Sequence, residues 1–177
     1  MKNLNKSKWI KVSKKEYHPK NENITQLNSL DLNLLKKNIS KNNSMGSRIC
    51  LHTSIKDKIQ QMILFHPKGS YIRPHKSISN EESYMILNGE MDVILFNNVG
   101  KIKKKIELGD LKSKKSFFFR MKKSLYRTMI IKKDTIFLEV KKGPFVKNKS
   151  TIYADWSPKK NDKKKLETFF FKIKKFK

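Results

Sequence analysis

Between Arg48 and Val140 the chain breaks into short apolar or alternating runs: Ile59 to Phe65, Tyr71 to Arg73, Ser83 to Leu87, Met91 to Phe96, Ile102 to Glu107, Phe117 to Met121, Tyr126 to Ile131 and Thr135 to Val140. Turn-forming residues separate them: Pro67-Lys68-Gly69, Asn88-Gly89, Asn97-Asn98-Val99-Gly100, Gly109-Asp110 and Lys132-Lys133-Asp134. With no helix-period segment in between, this spacing predicts an all-β, antiparallel architecture that is closed or two-layered. About eight such strands suit a jelly-roll barrel.

The flanks follow a different period. Leu27, Leu30, Leu32, Leu34, Leu35 and Ile39 form a helical stripe, which predicts a helix over about 29–38, with Ser29 and Asp31 placed to cap it. The polar run from Lys41 to Ser47 then marks a boundary. Residues 1–22 read as a basic arm in which Trp9, Ile10 and Val12 make a short strand. After Gly143-Pro144 the aromatic segment Tyr153 to Pro158 is expected along the outside of the barrel. Leu166, Phe169, Phe170 and Ile173 then recur at helical spacing. The expected division is an arm over 1–22, a helical segment over 23–47, the barrel over 48–158 and a basic helix over 159–177.

Charge bears on partners more than on fold. Lys and Arg number 42 against 15 Asp and Glu, a formal charge of +27, which draws a protein toward polyanions. The lysines are nevertheless spread along the whole chain among many Asn and Ile, as an AT-rich coding sequence would place them, where a dedicated polyanion site would cluster them. Non-specific, salt-sensitive adhesion to polyanions at low salt follows under either reading. Residues 159–177 hold nine Lys and two acids, so the last helix either docks on the barrel with solvated lysines or serves a membrane surface or RNA. Docking is the simpler reading. Cys50 is the single cysteine, which leaves no internal disulfide and no Cys-based metal cluster and fits a reducing cytoplasm. No signal-peptide core and no apolar run near the roughly 18 residues of a membrane helix is present, so a soluble, cytoplasmic protein is expected.

The chemistry concentrates in Gly69 to Gly89, GSYIRPHKSISNEESYMILNG. On a strand, Tyr71, Arg73, His75 and Ser77 share one face, which in a small barrel is the lumen; Pro74 removes a backbone donor and interrupts strict alternation. An arginine facing the lumen costs desolvation unless it meets an anion, so Arg73 reads either as a bidentate carboxylate or phosphate receptor or as the partner of Glu81 or Glu82. Tyr71 and Tyr126 either hydrogen-bond or stack on a ligand ring, or fill the barrel. His18, His52 and His66 read as exposed or hydrogen-bonded histidines.

Written as spacing, Gly69, five residues, His75, one residue, Ser77, four residues, Glu82, six residues and Gly89 match the first cupin motif, in which a second histidine normally stands at Ser77. The longer agreement is with the WbuC family of cupin-fold metalloproteins. GSYIRPHK and EESYMILNGEMDVILFNNVGKI resemble that family's core, FLEVKKGPF (Phe137 to Phe145) its closing strand and turn, YADWSP (Tyr153 to Pro158) its terminal aromatic segment, and SRICLH (Ser47 to His52) the start of its first barrel strand. The resemblance spans roughly Ile24 to Pro158. It implies a divalent metal held by two histidines and a glutamate of the first motif and a histidine of the second.

Here His75 and Glu82 stand at two of those positions, Ser77 replaces the second histidine, and Tyr126, closing Met121 to Tyr126, takes the place of the third. A hydroxyl is a poor ligand at neutral pH and a phenol suits hard trivalent ions, so one Fe, Mn, Zn or Ni ion is expected to be weakly bound or absent. The family's tie to bacterial surface-polysaccharide genes implies a sugar or nucleotide-sugar ligand, an anionic one if Arg73 receives it. Three functions stay open: a small-molecule-binding cupin, a metal-dependent sugar isomerase or epimerase with Tyr126 as base, and a polyanion-binding accessory protein. Pairing of sheet edges, with residues 9–12 as an added strand, would make a homodimer.

Overall fold

The computed structural model describes residues 8–21, 23–42, 46–78, 81–122, 124–146 and 149–176. Before the barrel come β1 (Trp9–Ser13), β2 (Glu16–Pro19) and α1 (Ser29–Asn42). The barrel strands are β3 (Ser47–Cys50), β4 (Ile59–His66), β5 (His75–Ser77), β6 (Glu82–Asn88), β7 (Glu90–Phe96), β8 (Ile102–Gly109), β9 (Phe118–Met121), β10 (Tyr126–Ile131), β11 (Thr135–Lys142) and β12 (Thr151–Tyr153), and α2 (Lys163–Lys175) ends the chain. They form two sheets, in the orders β1-β2-β3-β4-β11-β6-β9 and β12-β5-β10-β7-β8. Among the described strands all pairings are antiparallel except that of β2 with β3. This is the jelly-roll class that the strand spacing predicts, with the arm's hairpin extending the larger sheet.

Alternate residues of a strand face opposite sides of its sheet, and parity decides which layer they enter. Tyr84, Ile86 and Phe137 of the larger sheet meet Met91, Val93, Leu95, Leu108, Met129 and Ile131 of the smaller one between the layers. The opposite parity of the larger sheet, Ile49, Ile63, Phe65 and Ile136, packs with Trp9 and with Leu35 of α1. The smaller sheet turns Ile94 and Phe96 outward, where Ile173 and Phe169 of α2 cover them. The terminal helix is therefore docked, and most of its lysines point to solvent.

The helix α1 runs longer than the stripe predicts, and its cap differs. The Asn28 side chain accepts the backbone N–H groups of Leu30 and Asp31, at 3.0 and 3.3 Å. Asp31 reaches back to the N–H of Asn28 at 2.8 Å and accepts Trp9 Nε1 at 2.7 Å, which ties the arm to the helix. Gly89 lies where the chain leaves the larger sheet for the smaller. At φ +94 its absent Cβ would stand 2.2 Å from the Asp134 carbonyl oxygen, so glycine is required there.

The expected strand over Tyr71–Arg73 is a correction. Tyr71 makes one isolated bridge to Ile130, and regular pairing begins only at His75, opposite Arg127 and Tyr153. Pro74 offers no donor to a ladder, so the strand starts after it. The short strands β2 and β12 lie in segments without alternating apolar residues, which hid them.

Candidate functional site

One end of the space between the sheets is polar. Along β10, Met129 and Ile131 face the inner core, and the same parity sends Arg127 inward. Its side chain is fully buried against a Glu82 side chain that is 1% exposed. Arg127 Nη2 donates to Glu82 Oε2, Nε donates to the Tyr84 hydroxyl at 3.2 Å, and Nη1 donates to the His75 carbonyl at 3.1 Å. The Tyr84 hydroxyl in turn donates to Glu82 Oε1 at 2.6 Å. On the neighbouring strand Lys141 Nζ stands 2.9 Å from Glu139 Oε1 and 4.0 Å from Glu82 Oε2. Two cations and two carboxylates thus form one connected group.

Their environments push the two carboxyls apart. Burial raises Glu82, an effect that Arg127 and Lys141 reduce without cancelling. Burial also opposes ionisation of Glu139, but there Lys141, Arg127 and His75 outweigh it and hold the carboxyl below its ordinary range. His75 is pushed down to about 3, first by burial and then by the positive charges of Arg127 and Lys141. Its Nδ1 lies 2.8 Å from the Arg73 carbonyl, which can only accept, so Nδ1 carries the proton and Nε2 the lone pair.

Glu139 and Lys141 open onto a cleft of about 500 Å³ at the end of the barrel, which Arg48, Cys50, Ser77 and Tyr153 also line. An adjoining cavity of about 570 Å³ reaches Tyr71, Arg73 and His75. Both fall in the size range of small-molecule sites.

The residues expected from sequence divide between interior and exterior. His75 and Glu82 approach the same interior region and are linked through Arg127. The Ser77 hydroxyl lies in the cleft lining, 3.4 Å from the Ser150 carbonyl. Tyr126, one residue out of phase with Arg127, faces outward: its ring meets Trp156 edge-on at 5.8 Å, with Lys76 Nζ 4.7 Å from its centroid. Tyr126 is thus turned away from His75 and Glu82.

Arg73 pairs with neither Glu81 nor Glu82. Its Nε donates to Ser157 Oγ at 2.8 Å, its Nη2 donates to the Ala154 carbonyl at 3.3 Å, and the guanidinium lies 5.0 Å from the Tyr153 ring centroid. Tyr71 donates its hydroxyl to the Pro158 carbonyl at 2.7 Å and packs edge-on against Phe169 and Phe170. Both residues fasten the C-terminal segment to the barrel. Arg127, Tyr84, Glu139 and Lys141 went unforeseen, although the parity of Arg127 with Met129 and Ile131 is visible in YRTMII.

A family model described as a domain of unknown function (DUF6016) matches residues 30–108, from α1 through most of β8. No curated protein matches the chain. Among solved structures the chain is similar to a protein from Shewanella oneidensis at 12% identity and a TM-score of 0.46, over 55% of this chain and 63% of that one. It is similar to a cupin superfamily protein from Desulfitobacterium hafniense at 15% identity and 0.44, over 55% and 76%. It is also similar to oxalate decarboxylase from Lactobacillus farciminis, in a formate complex, at 20% identity and 0.43, over 55% of this chain and 27% of that enzyme. The chain therefore spans less than two thirds of the Shewanella protein and about a quarter of the decarboxylase.

Proposed function

We propose that this chain is a small-molecule-binding cupin-type barrel of the WbuC kind, serving bacterial surface-polysaccharide metabolism, and that it takes a sugar or nucleotide-sugar in the cleft at the barrel end. The observation that carries this reading is the Glu139–Lys141 pair, held at 2.9 Å in the lining of a cleft of about 500 Å³ that also presents the half-exposed ring of Tyr153. A carboxylate accepts sugar hydroxyls, an ammonium takes a carboxylate or phosphate, and an aromatic face stacks on a sugar ring. Arg48, at the same lining, adds a second cation for an anionic substituent.

The metal implied by the resemblance does not fit the four positions. Both Glu82 oxygens are taken, by Tyr84 and Arg127. Tyr126 faces away, and Ser77 offers a neutral hydroxyl. A divalent ion between His75 and Glu82 would also sit beside two fixed cations, Arg127 and Lys141, at interior dielectric. In this reading Arg127 supplies the positive charge at the centre of the barrel, and ligand recognition falls to groups already ordered around it.

The test is a thermal-shift and calorimetric screen against neutral sugars, sugar acids and nucleotide-sugars. Glu139→Gln and Tyr153→Ala are each expected to weaken the best ligand about tenfold, or ~1.4 kcal/mol. Binding unaffected by both variants overturns the proposal, as does a screen without ligands. Affinity that collapses between low and moderate salt in every variant would point to polyanion adsorption instead.

A further inference from the structure

The arm contributes chemistry as well as packing. Glu16 pairs with Arg48 and Tyr17 with Ile49 across the parallel β2–β3 ladder, so one step further sets His18 beside Cys50. Tyr17 and Ile49 face the α1 side; Glu16, His18, Arg48 and Cys50 have the opposite parity and share the other face. Two Xaa-x-His pairs, Glu16-Tyr17-His18 and Cys50-Leu51-His52, are thereby laid side by side. Glu16 Oε1 lies 2.6 Å from His18 Nε2 and 3.6 Å from Cys50 Sγ. The three ligand atoms stand within 4.8 Å of one another, the one such group of three among the described residues. The His52 ring meets that of His18 edge-on at 5.8 Å between centroids.

From this arrangement we infer a zinc site built by Glu16 Oε1, His18 Nε2 and Cys50 Sγ, which clamps the arm to the barrel and keeps its fourth position toward the cleft. A thiolate, an imidazole and a carboxylate are the donors a borderline-soft, tetrahedral ion selects, and three protein ligands with one open position is its reactive form. Tetrahedral zinc places sulfur and oxygen ligands about 3.6 Å apart and nitrogen and oxygen about 3.4 Å apart. The sulfur–oxygen separation already meets this, and the imidazole–carboxylate contact opens by about 0.8 Å when zinc takes the Nε2 lone pair and the single ring proton of the neutral imidazole passes through solvent to Nδ1. Arg48 holds the other oxygen, Oε2, so it orients the carboxylate without occupying the metal's side. Binding releases the Cys50 proton to solvent, and the charges of Glu16 and the thiolate then balance those of Zn²⁺. Glu16, Cys50 and His52 all line the cleft, which is why the open position points there. The inference does not depend on which ligand the cleft takes.

The experiment uses the full chain, stripped with a chelator and titrated with Zn²⁺ or with Co²⁺ as a spectroscopic substitute. One equivalent of zinc by plasma mass spectrometry and a thiolate-to-cobalt charge-transfer band are expected; Cys50 is the only cysteine, so the band has one source. Cys50→Ser should abolish the band, and His18→Ala should weaken zinc at least tenfold. His75→Ala should retain both, which separates this site from the one expected between His75 and Glu82. Circular dichroism verifies the fold of each variant, and His18, half-buried on the arm, serves if Cys50→Ser does not fold. Substoichiometric zinc in the parent chain, or metal content unchanged in both Cys50→Ser and His18→Ala, overturns the inference.

Discussion

Replacing Arg127 with methionine removes the cation at the centre of the interior and leaves the Glu82 carboxylate without its main partner. The two side chains are 0% and 1% exposed, so water cannot take over the lost interaction, and breaking a pair of this kind costs about 3–5 kcal/mol. The His75 carbonyl loses a donor at the same time. Against a total stability of about 5–15 kcal/mol this is a large fraction. With a urea dependence near 2 kcal/mol/M, the unfolding midpoint should fall by roughly 1.5–2.5 M. The companion variant Arg127→Met/Glu82→Gln removes both charges while keeping an acceptor for Tyr84, and should recover most of the loss. The pH dependence has a definite sign. Without Arg127 the Glu82 carboxyl rises further above its unfolded value of about 4.3. The folded chain then holds a proton that the unfolded chain has released, so stability falls as pH rises through that window. The gap between Arg127→Met and the parent should therefore narrow toward acid pH. A cost under about 1 kcal/mol, or a double variant no better than the single one, would refute the view of Arg127 as the fixed partner of a buried charge.

Other perturbations test neighbouring claims. Because burial and two cations push His75 down to about 3 from 6.5, the unfolded chain takes up a proton below pH 6.5 that the folded chain refuses. Stability should thus fall as pH drops through that interval, and His52, lowered chiefly by burial, acts in the same direction. His75→Asn, whose side-chain nitrogen stands where Nδ1 does and can still donate to the Arg73 carbonyl, should flatten the slope of urea midpoints between pH 7 and 5; an unchanged slope would count against it. Gly89→Ala should cost on the order of 3 kcal/mol in chemical denaturation, since its Cβ would meet the Asp134 oxygen at 2.2 Å; a near-neutral result would mean that this turn is not held as described. Ile173→Ala should cost about 2–4 kcal/mol, because the side chain is buried against Ile94 and Phe96. A loss under about 1 kcal/mol would mean that α2 adds little to the fold.

The strands were legible because their signal is local: two-residue alternation between turn residues survives any change of partner. The docked terminal helix was legible for the same reason, since Phe169 and Ile173 keep helical spacing. What failed is parity through an interruption. Counting alternate residues backward through Pro74 placed Tyr71 and Arg73 in the lumen with His75, yet regular pairing starts only after the proline. Counting from the cupin spacing placed Tyr126 in the lumen, while the alternation of Met129 and Ile131 places Arg127 there. A one-residue difference exchanges a phenol for a guanidinium, and with it the chemistry of the site. The strands β2, between β1 and β3, and β12, at the edge of the smaller sheet, had no apolar pattern to read, because each is joined to the barrel by pairing with a strand distant in sequence.

The same parity explains how a chain of charge +27 keeps an interior with balanced charges. Among the described residues Asp31, Glu82, Asp92 and Glu139 are the buried acids, and each has a lysine or arginine within 4.0 Å. The buried side of the ledger therefore closes locally, and the excess lysines stand mostly on outward parities and on α2, where solvent and salt screen them. That division separates two kinds of binding by their salt response. Attraction of a polyanion to the outer lysines weakens steeply with salt, whereas the recognition proposed for the cleft would use Glu139, Lys141 and Arg48 at positions set by their own partners, which salt screens far less. A ligand that engages the cleft should therefore keep its affinity at moderate salt and lose it when Glu139 becomes glutamine.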